Sequence, residues 1–469
     1  MKESKVAIIG GGPGGYTTAI RAAQLGAPVI LIEKDKLGGV CINRGCIPTK
    51  ALVQSVRLLQ QAEKTREYGI SVDKDGADFT RIQSQKDRMV TMLSRGLNQL
   101  MISNKVEVIN GAGKLSSSNE IEIATAHGRE RVRAERIILA PGSVPQPPDI
   151  PGGGEAELLT SDDILQLTEV PESLLIIGGG VIGVEFATIF AGLGTKVTLV
   201  EKETYLIPGE DTDISVNLKR LLEKAGIAVI TGCQVAGIRG EHDKPKTITL
   251  RTAGEEKVLV TQLAMATTGR KPNLDNLGLK ETGVATLQDG ITVNESMETN
   301  VPGVYAVGDV TGGWMLAHVA FKEGIVAAEN ALGYHSTMDY RAVPRCIHSN
   351  PEIAAVGLNE NEAIDQGHEI ATGRFPLTAN GMGVILEEGG FIKIIASAPE
   401  GRVLGVHILA PHASELIGEA TLAMKLGAGI KDIADTIHAH PTLSEGLMEA
   451  ALDVNGEAIN IVPKRRNIA

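Results

Sequence analysis

Two stretches of this chain repeat one another. KVAIIGGGPGGYTTAIRAAQLGAPVILIEK (5–34) aligns without a gap to SLLIIGGGVIGVEFATIFAGLGTKVTLVEK (173–202), and fourteen of the thirty positions are identical. Each copy runs through an apolar segment, G-x-G-x-x-G, helical periodicity, a Gly, a second β-rich segment and a Glu. The glycines are Gly10, Gly12 and Gly15, then Gly178, Gly180 and Gly183; the acids are Glu33 and Glu201, each 18 residues past the last glycine. Glycines in that spacing permit a tight turn and close backbone approach, the helix N-terminus faces a pyrophosphate, and the acid accepts from ribose hydroxyls. Two such units imply two bound dinucleotides. Glu201 is followed by Lys202 and Glu203 with no arginine cluster, so a 2′-phosphate is repelled and NAD is favoured over NADP. The copies differ usefully at one helical position, where Thr17 of the first is matched by Glu185 of the second. A carboxylate beside an anionic cofactor calls for a cation, unless it is an ordinary exposed glutamate.

Composition narrows the class. At 469 residues the length suggests about three domains. A net charge of −12 argues against nucleic acid or an anionic membrane as partner, since both require clustered positive charge. The basic run Lys464–Arg466 reads as a solvated tail. The N-terminus enters a strand pattern directly, and no stretch of 18 apolar residues occurs, so a cytoplasmic location is expected. Fifty-five glycines with only 3% aromatics suit strand-to-helix turns around nucleotides, while 43% hydrophobic residues argue against disorder.

Between the copies lies a mostly helical stretch (50–104), then strand-like segments near 106–109, 120–125 and 136–140. The Pro- and Gly-dense 138–152 reads as a boundary, TTGRKPN (267–273) as another. Beyond about 345 the alternating patterns EIAAVG, GFIKIIA and VLGVHILA suggest antiparallel strands, followed by helical ASELIGEATLAMKLG and IKDIADTI.

Two of the four cysteines, Cys41 and Cys46, stand with four residues between them in GGVCINRGCIPTK (38–50). A redox pair fits best; a metal pair and buried structural cysteines are the alternatives. Cys233 and Cys346 are isolated and offer no second zinc-ligand pair, so no metal is expected. On one regular helix the two Cα atoms would lie about 8.6 Å apart, beyond the roughly 7 Å reach of a disulfide. The first turn must therefore be distorted, and Gly45 and Pro48 are the residues that allow it. Lys50 projects from the following helix, either as a cation for a flavin and a nearby carboxylate or as a solvated lysine.

These pieces together resemble the disulfide flavoprotein reductases over essentially the whole chain. GGxCxNxGCIPxK after the first βαβ unit, YAVGD (305–309), MLAH (315–318) and HAHPTLSE (438–445) carry the likeness. Glu201 and the HPTLSE spelling favour the NAD-linked, dihydrolipoamide-oxidising branch. The resemblance implies an α/β fold of two Rossmann-like dinucleotide-binding domains plus a C-terminal α+β dimerisation domain. The divisions expected are 1–148 for the first part of an FAD-binding domain, 149–272 for an NAD-binding domain, 273–343 for the FAD-binding central part, and 344–469 for the dimerisation domain.

By the same resemblance, Cys41 and Cys46 form a redox disulfide, with Cys41 facing substrate and Cys46 facing flavin. Glu33 holds the adenosine ribose of FAD. Gly113 and the turn Ala140, Gly142 and Ser143 touch the same cofactor, Asp309 binds its ribitol side, and Ala317 lies close to the isoalloxazine. Lys50 sits near the flavin and pairs with Glu185, while Val235 and Gly269 contact NAD. His440 is the acid/base oriented by Glu445, supplied across a homodimer interface; His438 is a structural histidine. The implied activity oxidises dihydrolipoamide on lipoyl domains of 2-oxo acid dehydrogenase or glycine cleavage complexes. Arg44 departs from the family pattern and could lower a cysteine pKa or favour an anionic substrate. A reductase for another low-molecular-weight disulfide, and a flavin-binding scaffold or redox sensor, are the competing readings.

Overall fold

In the computed structural model, residues 1–71, 76–154, 156, 158–241, 244–288 and 290–462 are described. The basic tail at Lys464–Arg466 lies outside them.

The first repeat forms β1 (Lys2–Ile9), α1 (Pro13–Gln24) and β2 (Val29–Glu33). Short helix α2 (Gly39–Arg44) and long helices α3 (Cys46–Lys64) and α4 (Phe79–Ser103) follow. Strands β3 (Glu107–Asn110), β4 (Ala112–Ser117), β5 (Glu120–Thr125) and β6 (Gly128–Leu139) complete a sheet ordered β3-β2-β1-β6-β5-β4. Its β3-β2-β1-β6 part is parallel and the β5-β4 wing antiparallel. Alternation buries both faces. Val6, Ile8 and Leu31 meet Ala19 and Ala22 on one side, while Ala7, Ile9, Ile30 and Ile32 meet Leu115 and Ile121 on the other. β4 lies where the sequence GAGKLSSS suggests no strand, because two glycines and three serines mask its alternation.

Strand β7 (Ser143–Pro145) leads out to the second unit: β8 (Ser173–Ile177), α5 (Val181–Gly192), β9 (Lys196–Val200), α6 (Thr212–Lys224) and β10 (Ala228–Ile230). An antiparallel trio follows, β11 (Gln234–Arg239), β12 (Lys246–Arg251) and β13 (Glu256–Thr261). Then β14 (Leu263–Ala266) joins the parallel sheet β10-β9-β8-β14. β15 (Arg270–Pro272) returns alongside β7, antiparallel to it. The chain then re-enters the first sheet through β16 (Val304–Ala306), parallel to β6, and runs into α7 (Ala317–Ala331).

The C-terminal part is an antiparallel sheet of five strands: β17 (Arg345–Ile347), β18 (Glu352–Gly357), β19 (Ile370–Pro376), β20 (Phe391–Ser397) and β21 (Val403–Ala410), ordered β17-β18-β21-β20-β19. Helices α8 (Ala413–Leu426) and α9 (Glu445–Val454) pack on it. Sequence periodicity marks α8 but misses α9, whose start is hidden inside HAHPTLSE. No helix among the described residues is long and apolar enough to cross a membrane.

What positions the site is a shared core. Leu52, Val53 and Val56 of α3 pack with Phe186 and Phe190 of α5 and with Ile347, Ile353, Phe391 and Leu409 of the C-terminal sheet. A Cβ on Gly192 would lie 2.2 Å from Val56 Cγ1, so only glycine lets α5 and α3 touch this closely.

A buried ion cluster ties the second unit to the C-terminal sheet. Lys393 Nζ bonds both Asp211 oxygens (2.8 and 3.0 Å), Asp213 (2.8 Å) and Glu360 (2.9 Å). The Lys393 and Asp211 side chains are 4% and 2% exposed. Lys393→Met strands a buried carboxylate and is expected to cost about 3–5 kcal/mol, read as a lower denaturant midpoint. Lys2→Met, at an exposed pair with Glu107, should cost no more than about 1 kcal/mol. Equal midpoints for the two variants would deny Lys393 this role.

Candidate active site

The two glycine turns have the same build. Gly10 has φ +105° and Gly178 φ +110°; a Cβ on Gly10 would sit 2.1 Å from the Ala140 carbonyl oxygen, and one on Gly178 2.8 Å from that of Thr267. The third glycines seat the helices on their turns: a Cβ on Gly15 or Gly183 would fall 1.8 or 2.0 Å from the carbonyl oxygen of Gly10 or Gly178. Gly12 and Gly180 cap α1 and α5 without any side-chain hydrogen bond. The first-turn N–H groups are thus open to a pyrophosphate. This donor set, with backbone exposed wherever a Cβ would collide, fits a dinucleotide in each unit.

The two acids also match. Glu33 accepts the Gly11 N–H (2.6 Å) and the Asp35 N–H (2.8 Å). Glu201 accepts the Gly179 N–H (2.6 Å) and the Glu203 N–H (2.8 Å). Each carboxylate braces its own glycine turn.

The remaining nucleotide-side positions fall around these turns. The Ala140 N–H donates to Ile9 O (2.8 Å), which lays residues 140–143 beside the first glycine turn. Gly113 lies in β4 against Ile9 and Ile32. Gly142 has φ +74°. Asp309 follows β16 in a 3₁₀ turn (Gly308–Thr311), and its Oδ2 accepts from Ser143 Oγ at 2.5 Å. Ala317 opens α7. In the second unit, the Cys233 N–H donates to Glu201 O (2.9 Å) and so starts the strand carrying Val235 beside the acid. Gly269 (φ +135°) immediately precedes β15.

The cysteine segment lies on the first glycine turn. The Gly38 N–H donates to Gly11 O (2.8 Å), and a Cβ on Gly39 would be 2.7 Å from Gly12 Cα. Asn43 Nδ2 holds this corner by donating to Leu37 O (3.0 Å) and Gly39 O (2.9 Å). The distortion anticipated in one helix is a complete break: α2 ends at Arg44, Gly45 takes φ −143° and ψ −109°, and Cys46 begins α3. Cys41 and Cys46 are free thiols, and each acts on the other's ionisation. Interaction with the Cys41 thiol lowers the Cys46 pKa to about 7 against the opposing effect of burial, with help from Lys50 and the helix-start amide. Cys41 is pushed up, first because it keeps the shared proton and then by burial. Burial and both thiols raise Tyr16 to about 12.

Lys50 and Glu185 meet. Lys50 Nζ donates to both carboxylate oxygens at 2.9 and 2.8 Å, and the Glu185 side chain is 5% exposed. Glu185 Oε1 also accepts the backbone N–H of His348 (2.9 Å). One carboxylate therefore joins α3, α5 and the C-terminal sheet, and nothing in the sequence near His348 signals its part. Arg44 departs from its expected influence on the cysteines: its guanidinium pairs with Asp35 (2.8 Å) and Asp162 (3.4 Å), and the cation acting on both thiols is Lys50.

His440 Nδ1 donates to Glu445 Oε1 (2.9 Å), while Glu445 Oε2 accepts the Thr442 N–H (2.8 Å). Burial raises the Glu445 carboxyl, but the Thr442 amide and His440 outweigh it and hold the pKa below the ordinary value. The His440 side chain is 78% exposed, and Nε2 has no hydrogen-bond partner among the described residues. His438 is engaged at both nitrogens, by Thr436 O (2.9 Å) and Glu419 (3.0 Å).

Sequence reasoning also missed two further groups. Glu323, buried in α7, accepts from the Gly308 N–H and Tyr340 Oη, both at 2.7 Å; burial raises its pKa to about 7. Arg345 bonds Glu210 twice (2.7 and 3.1 Å) and sits 5.9 Å over the Trp314 ring. Among the described residues, no group of three or more His, Cys, Asp or Glu is arranged to hold a metal ion.

Residues 4–324 match the family model for pyridine nucleotide-disulphide oxidoreductases, and residues 343–451 match the dimerisation domain of the same family. A dihydrolipoyl dehydrogenase of Bacillus subtilis is 39% identical, covering 98% of this chain and 99% of its own. One of Thermus scotoductus is 40% identical over 98% and 100%. The mitochondrial dihydrolipoyl dehydrogenase of Pisum sativum is 39% identical over 98% and 93%. Among solved structures, the HOCl-induced flavoprotein disulfide reductase RclA of Escherichia coli, in its Cu(II) complex, aligns with TM-score 0.86 at 27% identity over 96% of this chain and 99% of that one.

The thiol pair gives a pH prediction. In the reduced protein, alkylation of Cys46 by iodoacetamide should follow an apparent pKa near 7, rising with pH as the thiolate forms. Lys50→Met removes the neighbouring cation and should move that midpoint up by about one unit or more. An unmoved midpoint in Lys50→Met would remove the lysine from the account.

Proposed function

Because this chain belongs to the pyridine nucleotide-disulphide oxidoreductase family, we propose that it is an FAD- and NAD-dependent dithiol oxidoreductase that oxidises dihydrolipoamide to lipoamide. The observation that carries this reading is the Cys41–Cys46 pair seated on the first glycine turn, with Cys46 poised to be the thiolate. The chain divides, on this reading, into FAD-binding segments 1–148 and 273–343, an NAD-binding domain 149–272 and a dimerisation domain 344–469.

FAD is held by the Gly10–Gly15 turn, Glu33, Gly113, Ala140–Ser143, Asp309 and Ala317. NAD is held by the Gly178–Gly183 turn, Glu201, Val235 and Gly269. Bound FAD supplies the two-electron acceptor that links the dithiol to NAD+, so that the sum is dihydrolipoamide plus NAD+ to lipoamide, NADH and H+. Protein groups handle the sulfur chemistry and the protons. His440 of the partner subunit, its Nδ1–H held by a carboxylate, takes a proton from the substrate thiol at Nε2. The substrate thiolate attacks Cys41 Sγ; the mixed disulfide forms as the Cys41–Cys46 bond breaks, and Cys46 keeps the electron pair. The second substrate thiolate displaces Cys41 and closes the lipoamide disulfide. Lys50 lowers the energy of the Cys46 thiolate, and Glu185 holds Lys50 in place.

Lipoyl domains of 2-oxo acid dehydrogenase or glycine cleavage complexes, in the cytoplasm, are the natural source of such a dithiol. A second reading, reduction of another small disulfide, is favoured by the likeness to RclA. Steady-state assays separate the two. Turnover of dihydrolipoamide with NAD+ is expected, lost in Cys46→Ser and reduced about 10²–10⁴-fold in kcat/KM by His440→Gln. A holoenzyme that ignores dihydrolipoamide yet oxidises NADH with a different disulfide supports the second reading.

A further inference from the structure

The chain crosses between the two nucleotide units along β7 and β15, and the two crossings form one antiparallel ribbon with Pro272 opposite Ser143 and Arg270 opposite Pro145. Arg270 folds back over this ribbon. Its Nε donates to Ser143 Oγ (2.7 Å) and its Nη2 to the Ser143 carbonyl (2.9 Å). Ser143 is buried, and its hydroxyl donates in turn to Asp309 Oδ2 (2.5 Å). The guanidinium takes up the acceptor side of the hydroxyl, so its single proton is committed to Asp309. Such a chain is polarised in one direction, and its fixed positive end strengthens the bond to the carboxylate. Asp309 Oδ1 accepts no hydrogen bond among the described residues, so one oxygen is held and the other is presented. The opposite side of the turn is pinned separately, by the Gly308 N–H on Glu323.

We infer that Arg270 is a positioning residue for the flavin: through Ser143 it orients the Asp309 carboxylate, which makes the ribbon between the nucleotide units part of the FAD site. The inference rests on the reading above that Asp309 faces FAD. It adds a residue of the return strand from the NAD unit to a site otherwise built by the first unit. Holding the NAD unit and holding FAD thus share one side chain.

The test is FAD affinity of the full-length apoprotein, measured by flavin fluorescence titration, with circular dichroism melting to establish that each variant folds. Asp309→Asn and Arg270→Gln should each raise the dissociation constant by about tenfold. Arg270→Lys keeps the charge but cannot span Ser143 Oγ and O together, so it should recover only part of the loss. In a Ser143→Ala background, Arg270→Gln should add less than about twofold, since the relay is already cut. Thr268→Val is the ribbon control: Thr268 Oγ1 donates to Gln146 O (2.9 Å) without touching Ser143, and this variant should stay within about twofold of wild type. The inference is overturned if Arg270→Gln stays within twofold while Asp309→Asn does not. It is equally overturned if the Arg270→Gln effect persists in full without the Ser143 hydroxyl, or if Thr268→Val weakens FAD as much. If Asp309→Asn itself changes nothing, the flavin placement is wrong, a different failure from that of the relay.

Discussion

Everything at this site depends on two backbones touching. Gly39 lies so close to Gly12 that a Cβ on Gly39 would collide with the Gly12 backbone, and the Gly38–Gly11 hydrogen bond fixes the contact. That contact lays the start of α2, and with it the cysteine pair, on the turn where a pyrophosphate belongs. The cysteine pair lies against the first glycine turn because two glycine-rich loops can share a surface that larger residues would keep apart. The break at Gly45 does the rest. It restarts the chain as a new helix at Cys46, so the thiol gains the first-turn amide environment that stabilises a thiolate.

From there the design is one of shared charges. Lys50 comes from the helix that Cys46 opens, Glu185 from the second unit's first helix, and the His348 amide from the residue that follows β17 of the C-terminal sheet. A buried carboxylate is tolerable only when its partners are supplied, and here each structural part supplies one or holds one. The Lys393–Asp211 cluster repeats the principle between the second unit and the C-terminal sheet. The three parts are therefore joined by ions that none of them could bury alone.

Much of this was legible in the sequence. The duplicated G-x-G-x-x-G units and the alternating strands of the C-terminal part follow from local periodicity, which is what one sequence displays. The Lys50–Glu185 pair was also within reach, because Glu185 is an oddity when the two copies are compared. What could not be read has a common cause. β4 hides behind glycine and serine, and α9 begins inside a motif with no helical period. Asn43, Arg270 and His348 act by meeting backbone or side chains brought near by the fold, and the latter two act across units. Arg44, two residues before Cys46 along the chain, pairs with Asp35 and Asp162, partners that its neighbours in sequence do not announce.

The junction has an optical side. Trp314 is the chain's one tryptophan, placed just before α7, and the guanidinium above its ring belongs to Arg345, which is bonded to Glu210 in the second unit. The indole therefore reports on all three parts at once. A swing of the second unit that pulls Glu210 away draws the cation from the ring face, and the emission of an unlabelled protein records the movement.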